Sequence, residues 1–470
     1  MITFLYISFV LLLILYSYKK TKSLYPIICI VGVTHGYLYQ QLGVPHTEWI
    51  NVCLIYLMFC FVVVSKKMKN DFKSYYFIIL LYLLVASSLG SYGNFMHTAH
   101  WLKTYPLGFM LLYVIIHKPF KNYVFVEKLF LFLWLMQVAL LVLWQLGINP
   151  LPNFRIEIGG GSLLDSAMGT WGFHVQLGDF MILGICYYLP DYLERRNKKT
   201  LVMLIAFFWI LIQTHNRHLL PFVPLVLGMQ SFMYYLKKGI IVKKSFRLLS
   251  IIIILCFGFM ISAKYYFDIE KKLTFNVSVG ETSRLVGDVS TDLIMFSSKI
   301  LAYQNAYKYM ADSNVLRIIM GYGPATFASG TAEGIGGTLY KVLVPFGIRT
   351  TAGGTSISDT VTNDFIGFGT EFGILGIIVL YSFFIYIMIF SYRKSKLLNN
   401  FEIELNRIIG IILYVMLIGT IRDFIPMGPF IIACILIGFN LNKLITYTTT
   451  IVDENDNKSI LNQKVIVEVC

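Results

Sequence analysis

The chain has 470 residues, of which 57% are hydrophobic and only 14% charged, with a mean hydropathy of +0.69; a soluble domain carries about 25% charge, so an ordinary water-soluble globule is excluded. Its formal net charge of +14 would suit nucleic acid if it covered one polar surface, but the basic residues sit in short clusters between apolar runs, which argues against that partner. The cysteines Cys29, Cys53, Cys60, Cys186, Cys256, Cys434 and Cys470 avoid the polar exterior stretches, so neither a disulfide framework nor a cysteine metal site is expected, and Cys470 lacks the C-a-a-X arrangement for prenylation.

Apolar runs of about 15 to 22 residues recur from Ile2 to Leu441, each near the length that crosses ~30 Å of hydrocarbon. Each predicts a helix, because an isolated strand leaves its backbone unsatisfied in lipid. Ile2 to Tyr16 has no basic residue before it and Lys19-Lys20 after it, the reverse of an export signal, and reads as a retained span. Further spans are predicted at 24–42, 49–64, 75–90, 104–116, 129–147, 172–189, 200–213, 219–236, 246–263, 365–390, 408–420 and 424–441. The fold class is therefore all-α, a polytopic transmembrane helix bundle of about 12 to 14 spans, with thirteen as the central count. Basic clusters fall at every second connection: Lys19-Lys20, Lys66-Lys67, Lys118 to Lys128, Arg195 to Lys199, Lys237 to Arg247 and Arg393 to Arg407. The positive-inside rule puts them in the cytosol, with the N-terminus outside and the C-terminus inside. Four parts follow: N-terminal helices (1–262), a large extracytoplasmic loop (263–364), C-terminal helices (365–441) and a polar cytosolic tail (442–470) with the acidic group Asp453-Glu454-Asn455-Asp456.

Two exterior connections are rich in aromatic residues and glycine. Gly90 to Lys103 holds Tyr92, His97, His100 and Trp101, and Asn149 to Phe173 holds Arg155, Glu157, Gly159-Gly160-Gly161 and Trp171. Such residues anchor proteins at the membrane interface, the plainer reading, or line a sugar-binding cleft. The interval from about Ala263 to Asp364 is the one long polar stretch, and connections of that length carry function. It contains Gly280-Glu281-Thr282-Ser283-Arg284, a helix-like run from Tyr303 to Met310, the turn Gly321-Tyr322-Gly323-Pro324 and a glycine-rich tract from Ala328 to Gly337.

Ionisable residues beside apolar spans are the natural candidates for chemistry. Arg217, in Gln213-Thr214-His215-Asn216-Arg217-His218, presents a planar fork of donors suited to a phosphate, or else pairs with lipid headgroups. Arg284 is a second candidate against a plain solvated arginine, and Arg422 a third, although Asp423 beside it suggests a structural ion pair. Guanidiniums at headgroup depth suit a lipid-linked diphosphate and the charge that develops as it leaves an anomeric carbon. A sugar hydroxyl attacking there needs a base; Glu281, Asp364, His215 and His218 are candidates, as is the pair His174 and Asp179. No exterior D-x-D pair or histidine cluster has metal-ligand spacing, and no P-loop is present.

In order and topology, residues from about Gln213 to Ile389 resemble the O-antigen polymerase and O-antigen ligase family of bacterial envelope glycosyltransferases. The resemblance lies in Arg217 at the end of a span, Ser283-Arg284 near the start of the large loop and the Tyr303 to Met310 run. It continues in Met320-Gly321-Tyr322-Gly323-Pro324-Ala325-Thr326-Phe327 and in Asn363-Asp364-Phe365 followed by Glu371-Phe372-Gly373-Ile374-Leu375-Gly376. It covers under half the chain, and each motif is degenerate. It implies a type C glycosyltransferase-like fold in the bacterial inner membrane, independent of metal and cofactor. The substrates would be polyprenyl-diphosphate-linked glycans as donor and acceptor, handled on the periplasmic face, with the matching arginines on the diphosphate and a chain-length regulator as a further partner. Where the ligases carry His-Asn, this chain has Thr362-Asn363, which favours a polymerase over a ligase. A flippase of lipid-linked sugars is the rival from another class.

Overall fold

A computed structural model describes residues 2–42, 48–64, 82, 85, 95–118, 122–146, 148, 169–171, 174–214, 222–237, 308, 310–323, 364–396, 402–419 and 428–446. Among the described residues 91% are helical and none forms a strand. The helices are α1 (Ile2–Thr21), α2 (Tyr25–Leu42), α3 (Glu48–Val64), α4 (Phe95–His117), α5 (Tyr123–Gln145) and α6 (His174–Arg195). They continue as α7 (Lys198–Gln213), α8 (Phe222–Lys237), α9 (Val315–Met320), α10 (Asp364–Glu371), α11 (Gly373–Lys396) and α12 (Glu402–Ile418). The last described helix is α13 (Gly428–Thr446).

Among the described residues three stretches are long and apolar enough to cross a membrane, Tyr123–Leu143, Gly373–Lys396 and Gly428–Thr446, and shorter apolar helices are Tyr25–Gly36, Trp49–Val64 and Tyr105–His117. The chain is thus a helical membrane protein. The sequence-based count of about thirteen crossings includes 75–90 and 246–263, which fall almost wholly outside the described residues.

Helix α11 shows why lipid is the natural surroundings. Gly376, Leu380, Phe383, Phe384 and Ile387 are buried on one side, while Ile374, Ile378, Ile385 and Ile389 are exposed on the other. A helix apolar on both faces pays no penalty for its outer face only in hydrocarbon. The same holds for Leu5, Leu12 and Leu15 on α1 and for Leu57, Phe61 and Val64 on α3. Helix α13 is the most enclosed of these three long apolar helices: 78% of its apolar stretch is buried, against 33% for α11. Glycines let neighbours close on it. A Cβ at Gly108 of α4 would come within 2.4 Å of the Phe430 ring, and one at Gly438 within 2.7 Å of Ile115. Such small-residue contacts supply the close packing that apolar burial cannot drive within lipid.

Several boundaries depart from the apolar windows. Helix α4 begins at Phe95 rather than near 104, so His97, His100 and Trp101 belong to a helix and not to a connection, and Pro106 is internal. Helix α12 begins at Glu402 rather than near 408 and takes in Arg407. The predicted span 365–390 is two helices, α10 and α11, broken at Phe372, where Gly373 takes φ +71. Of the expected helical run 303–310, Lys308 and Met310 are helical and the rest lies outside the described residues.

Candidate functional site

The helix ends sort onto two faces of the bundle. Three residues join the end of α1 to the start of α2. The Tyr25 hydroxyl donates to the Lys118 carbonyl at 2.6 Å, the Tyr123 hydroxyl lies 3.4 Å from Thr446, and the Tyr187 hydroxyl donates to Glu127 at 3.2 Å. Lys19-Lys20, Lys118, Lys128, Arg195 to Lys199 and Arg407 therefore share one end. The opposite end carries the starts of α6 and α10 and the ends of α7 and α12.

At the basic end a proline inside α6 leaves a backbone acceptor to be served from other helices. Pro190 lies inside α6 and has no N–H for the Cys186 carbonyl one turn back. Gln230 of α8 replaces it, donating from Nε2 to Cys186 O at 2.8 Å and to Asn406 O at 2.9 Å. The next carbonyl, Tyr187 O, accepts from Arg407 Nε at 3.0 Å. The Arg407 guanidinium is 3.8 Å from the Tyr187 ring centroid, pairs with Asp191, reaches Glu127 at 3.5 Å and reaches Asn440 at 3.4 Å. Lys443 pairs with Glu127 and stands 4.0 Å from Glu404. Charged side chains from α5, α6, α12 and α13 are thus pinned together. Such a set stabilises chiefly by leaving no member unpaired. Sequence reasoning placed Arg407 in a cytosolic cluster and missed its burial, although a lone arginine in Leu405-Asn406-Arg407-Ile408-Ile409 beside an apolar run signals it.

At the opposite end, the break at Phe372 frees two carbonyls that a continuous helix would have bonded internally. They are taken by the glycine turn that follows α9. Tyr322 N–H donates to Thr370 O at 2.9 Å and Gly323 N–H to Glu371 O at 2.8 Å. The backbones approach too closely for side chains. A Cβ at Gly321, whose φ is +79, would sit 2.4 Å from the Glu371 carbonyl, and one at Gly373 would sit 2.1 Å from Ile319 O. Asn314 caps α9, its Oδ1 accepting from Arg317 N–H at 2.9 Å. Arg317 lies over the Tyr322 ring at 5.3 Å, and Ser313 bonds the Tyr322 hydroxyl. The Tyr82 hydroxyl donates to Phe372 O. This clasp joins two of the motifs singled out in the sequence, Gly321-Tyr322-Gly323 and Glu371-Phe372-Gly373. Gly373→Ala adds a β-carbon at a left-handed residue against backbone and is expected to cost about 2 kcal/mol or more, read as a lower unfolding temperature in detergent.

Two buried carboxylates lie in the same half of the bundle. Glu371, with no exposed surface, accepts from the Tyr105 hydroxyl at 3.2 Å, and Asp179, equally buried, accepts from the Tyr414 hydroxyl. Nearby, Thr170 exchanges hydrogen bonds with Gln137 at 2.8 and 3.1 Å and donates to Val33 O at 2.7 Å. Trp171 is buried against Phe180, with ring centroids 5.2 Å apart, and beside Gly428. It is a core residue rather than an interface anchor or an open sugar platform.

Among the residues picked from sequence, Asp364 is the first residue of α10, and the next N–H, of Phe365, donates to Gly419 O at 3.0 Å. Asp179 belongs to the buried set above, and His174 opens α6. Glu281, His215, His218, Arg217, Arg284 and Arg422 lie outside the described residues. The described residues leading to two of them, Thr214 before Arg217 and Gly419 before Arg422, are at the clasp end. No group of three or more metal-ligating side chains occurs among the described residues. Sequence reasoning read Glu371 as part of a motif and missed Tyr105 as its partner. Compared with known proteins, the chain matches no protein-family model and none of the curated proteins.

Proposed function

We propose that the chain is a glycosyltransferase that polymerises polyprenyl-diphosphate-linked oligosaccharide repeat units into O-antigen, capsule or exopolysaccharide on the outer face of a bacterial cytoplasmic membrane. The observation that carries this reading is the clasp. Two short motifs on which the family resemblance rests, separated by the latter part of the long polar interval, are in backbone contact, so their order in the chain reflects one structural unit. The candidates Asp364, Arg217 and Arg422 belong to, or follow directly from, residues at that same end, and the positive-inside rule assigns it to the non-cytosolic side.

In the proposed reaction Arg217 and Arg284, with Arg422 as a third candidate, hold the diphosphate of the growing chain. A hydroxyl of a second lipid-linked unit attacks the anomeric carbon with inversion, passing its proton to a carboxylate, Glu281 or Asp364. The glycosidic carbon–oxygen bond to phosphate breaks and the lipid diphosphate departs with the electron pair. A carrier must open at both faces in turn, and the Arg407 network pins four helices together at the basic end; that favours an enzyme over a flippase.

Reconstituted protein supplied with one pure polyprenyl-diphosphate-linked repeat unit, and no metal or nucleotide, is expected to give a ladder of glycans on lipid and to release lipid diphosphate. If matched repeat units remain single after prolonged incubation, the reading fails. If product appears only with a lipid A–core acceptor, the ligase replaces it.

A further inference from the structure

We propose that Glu371 is a positioning residue for glycosyl transfer, acting through Tyr105 and the glycine clasp to hold α10, whose first residue is Asp364, in place against the bundle. The inference rests on the polymerase reading above. Helix α10 is eight residues long, about 12 Å at 1.5 Å per residue, and is tied at both ends. At its head Phe365 N–H binds Gly419 O of the α12 terminus. At its foot several ties meet on Glu371 and its neighbours. The side chain accepts from Tyr105 of α4, the carbonyl accepts from Gly323 of the clasp, and the Tyr105 ring stands edge-on to Phe368 and Phe372 with both centroids at 5.3 Å.

An apolar side chain of similar size would fill this space at lower desolvation cost. A carboxylate gives the contact a direction, since the hydrogen bond from Tyr105 of α4 sets the rotation of α10 about its axis, which rings alone leave slack. The residue has no exposed surface and so acts on substrate only through what it holds. The contact with Tyr105 requires hydrogen-bond acceptance, and glutamine should serve in its place.

The test uses full-length protein in lipid nanodiscs with a polyprenyl-diphosphate-linked repeat unit. Glu371→Ala is expected to lower kcat about a hundredfold, the scale of a displaced reacting group, with KM within about twofold. Glu371→Gln should restore most of the rate, and Glu371→Ala combined with Tyr105→Phe should be no worse than Glu371→Ala alone. A second measurement needs no substrate. In protein carrying Phe365→Cys and Gly419→Cys, oxidative cross-linking of the two positions, read by mass spectrometry, should fall in the Glu371→Ala background and recover in Glu371→Gln. Unchanged kcat and cross-linking in Glu371→Ala would overturn the proposal, as would Glu371→Gln behaving like Glu371→Ala. If wild-type protein makes no polymer while the cross-linking responds as described, the polymerase reading falls and the positioning of α10 stands.

Discussion

Arg407→Ala is expected to destabilise the folded protein by about 3–5 kcal/mol, the cost of removing one partner from a buried ion pair. Arg407 is 5% exposed, and its loss strands Asp191, which is 9% exposed, and leaves the Tyr187 carbonyl, one turn before Pro190 in α6, without its donor. Glu127 is affected less, because it keeps Lys443 and Tyr187. The double variant Arg407→Met with Asp191→Leu removes both charges together and should recover much of the stability, since replacing a whole buried pair by apolar groups of similar volume is often close to neutral. Equilibrium unfolding in detergent, with Glu127→Gln as a milder comparison, checks the order. Equal damage from the single and double variants would mean that the side chains matter for packing and not for charge.

The second large effect concerns activity. Arg217→Ala and Arg284→Ala are each expected to abolish long-chain glycan while the protein accumulates normally in the membrane. Removing one donor from a developing oxyanion costs about a hundredfold to a thousandfold in kcat, enough to reduce a polymer ladder to single units. Lysine at either position should restore part of the rate, because it keeps the charge but loses the bidentate fork. Polymer length on gels, alongside membrane levels of each variant, is the measurement. Normal lengths in either alanine variant would remove that arginine from the proposed machinery, and thiol labelling that placed the long polar interval in the cytosol would remove the site altogether.

What the sequence discloses follows from the physics of each signal. Apolar runs mark helices well because lipid permits no alternative, and the basic residues that the structure describes at Lys19-Lys20, Lys118, Arg195 to Lys199 and Arg407 lie at one end of the bundle. The same windows misplaced boundaries where a helix runs on through polar sequence: α12 reaches back to Glu402, with Arg407 paired to other helices, and α4 reaches back to Phe95. The break at Phe372 falls inside the single span expected at 365–390, and the docking of Gly373 on Gly321 depends on contact between backbones some fifty residues apart, which no local pattern encodes. Tyr105 as the partner of Glu371 was invisible for the same reason, being 266 residues away.

The proline in α6 has an evolutionary corollary. Gln230 serves the Cys186 carbonyl because Pro190 cannot, and it lies so close to α12 that a β-carbon at Gly410 would be 2.2 Å from its nitrogen. The three positions therefore form an interlocked trio whose members gain or lose their worth jointly. Divergence should move them in concert: descendants that reinstate an ordinary amide at 190 are free to discard the glutamine and then to enlarge the glycine, whereas enlargement at 410 alone should be purged by selection.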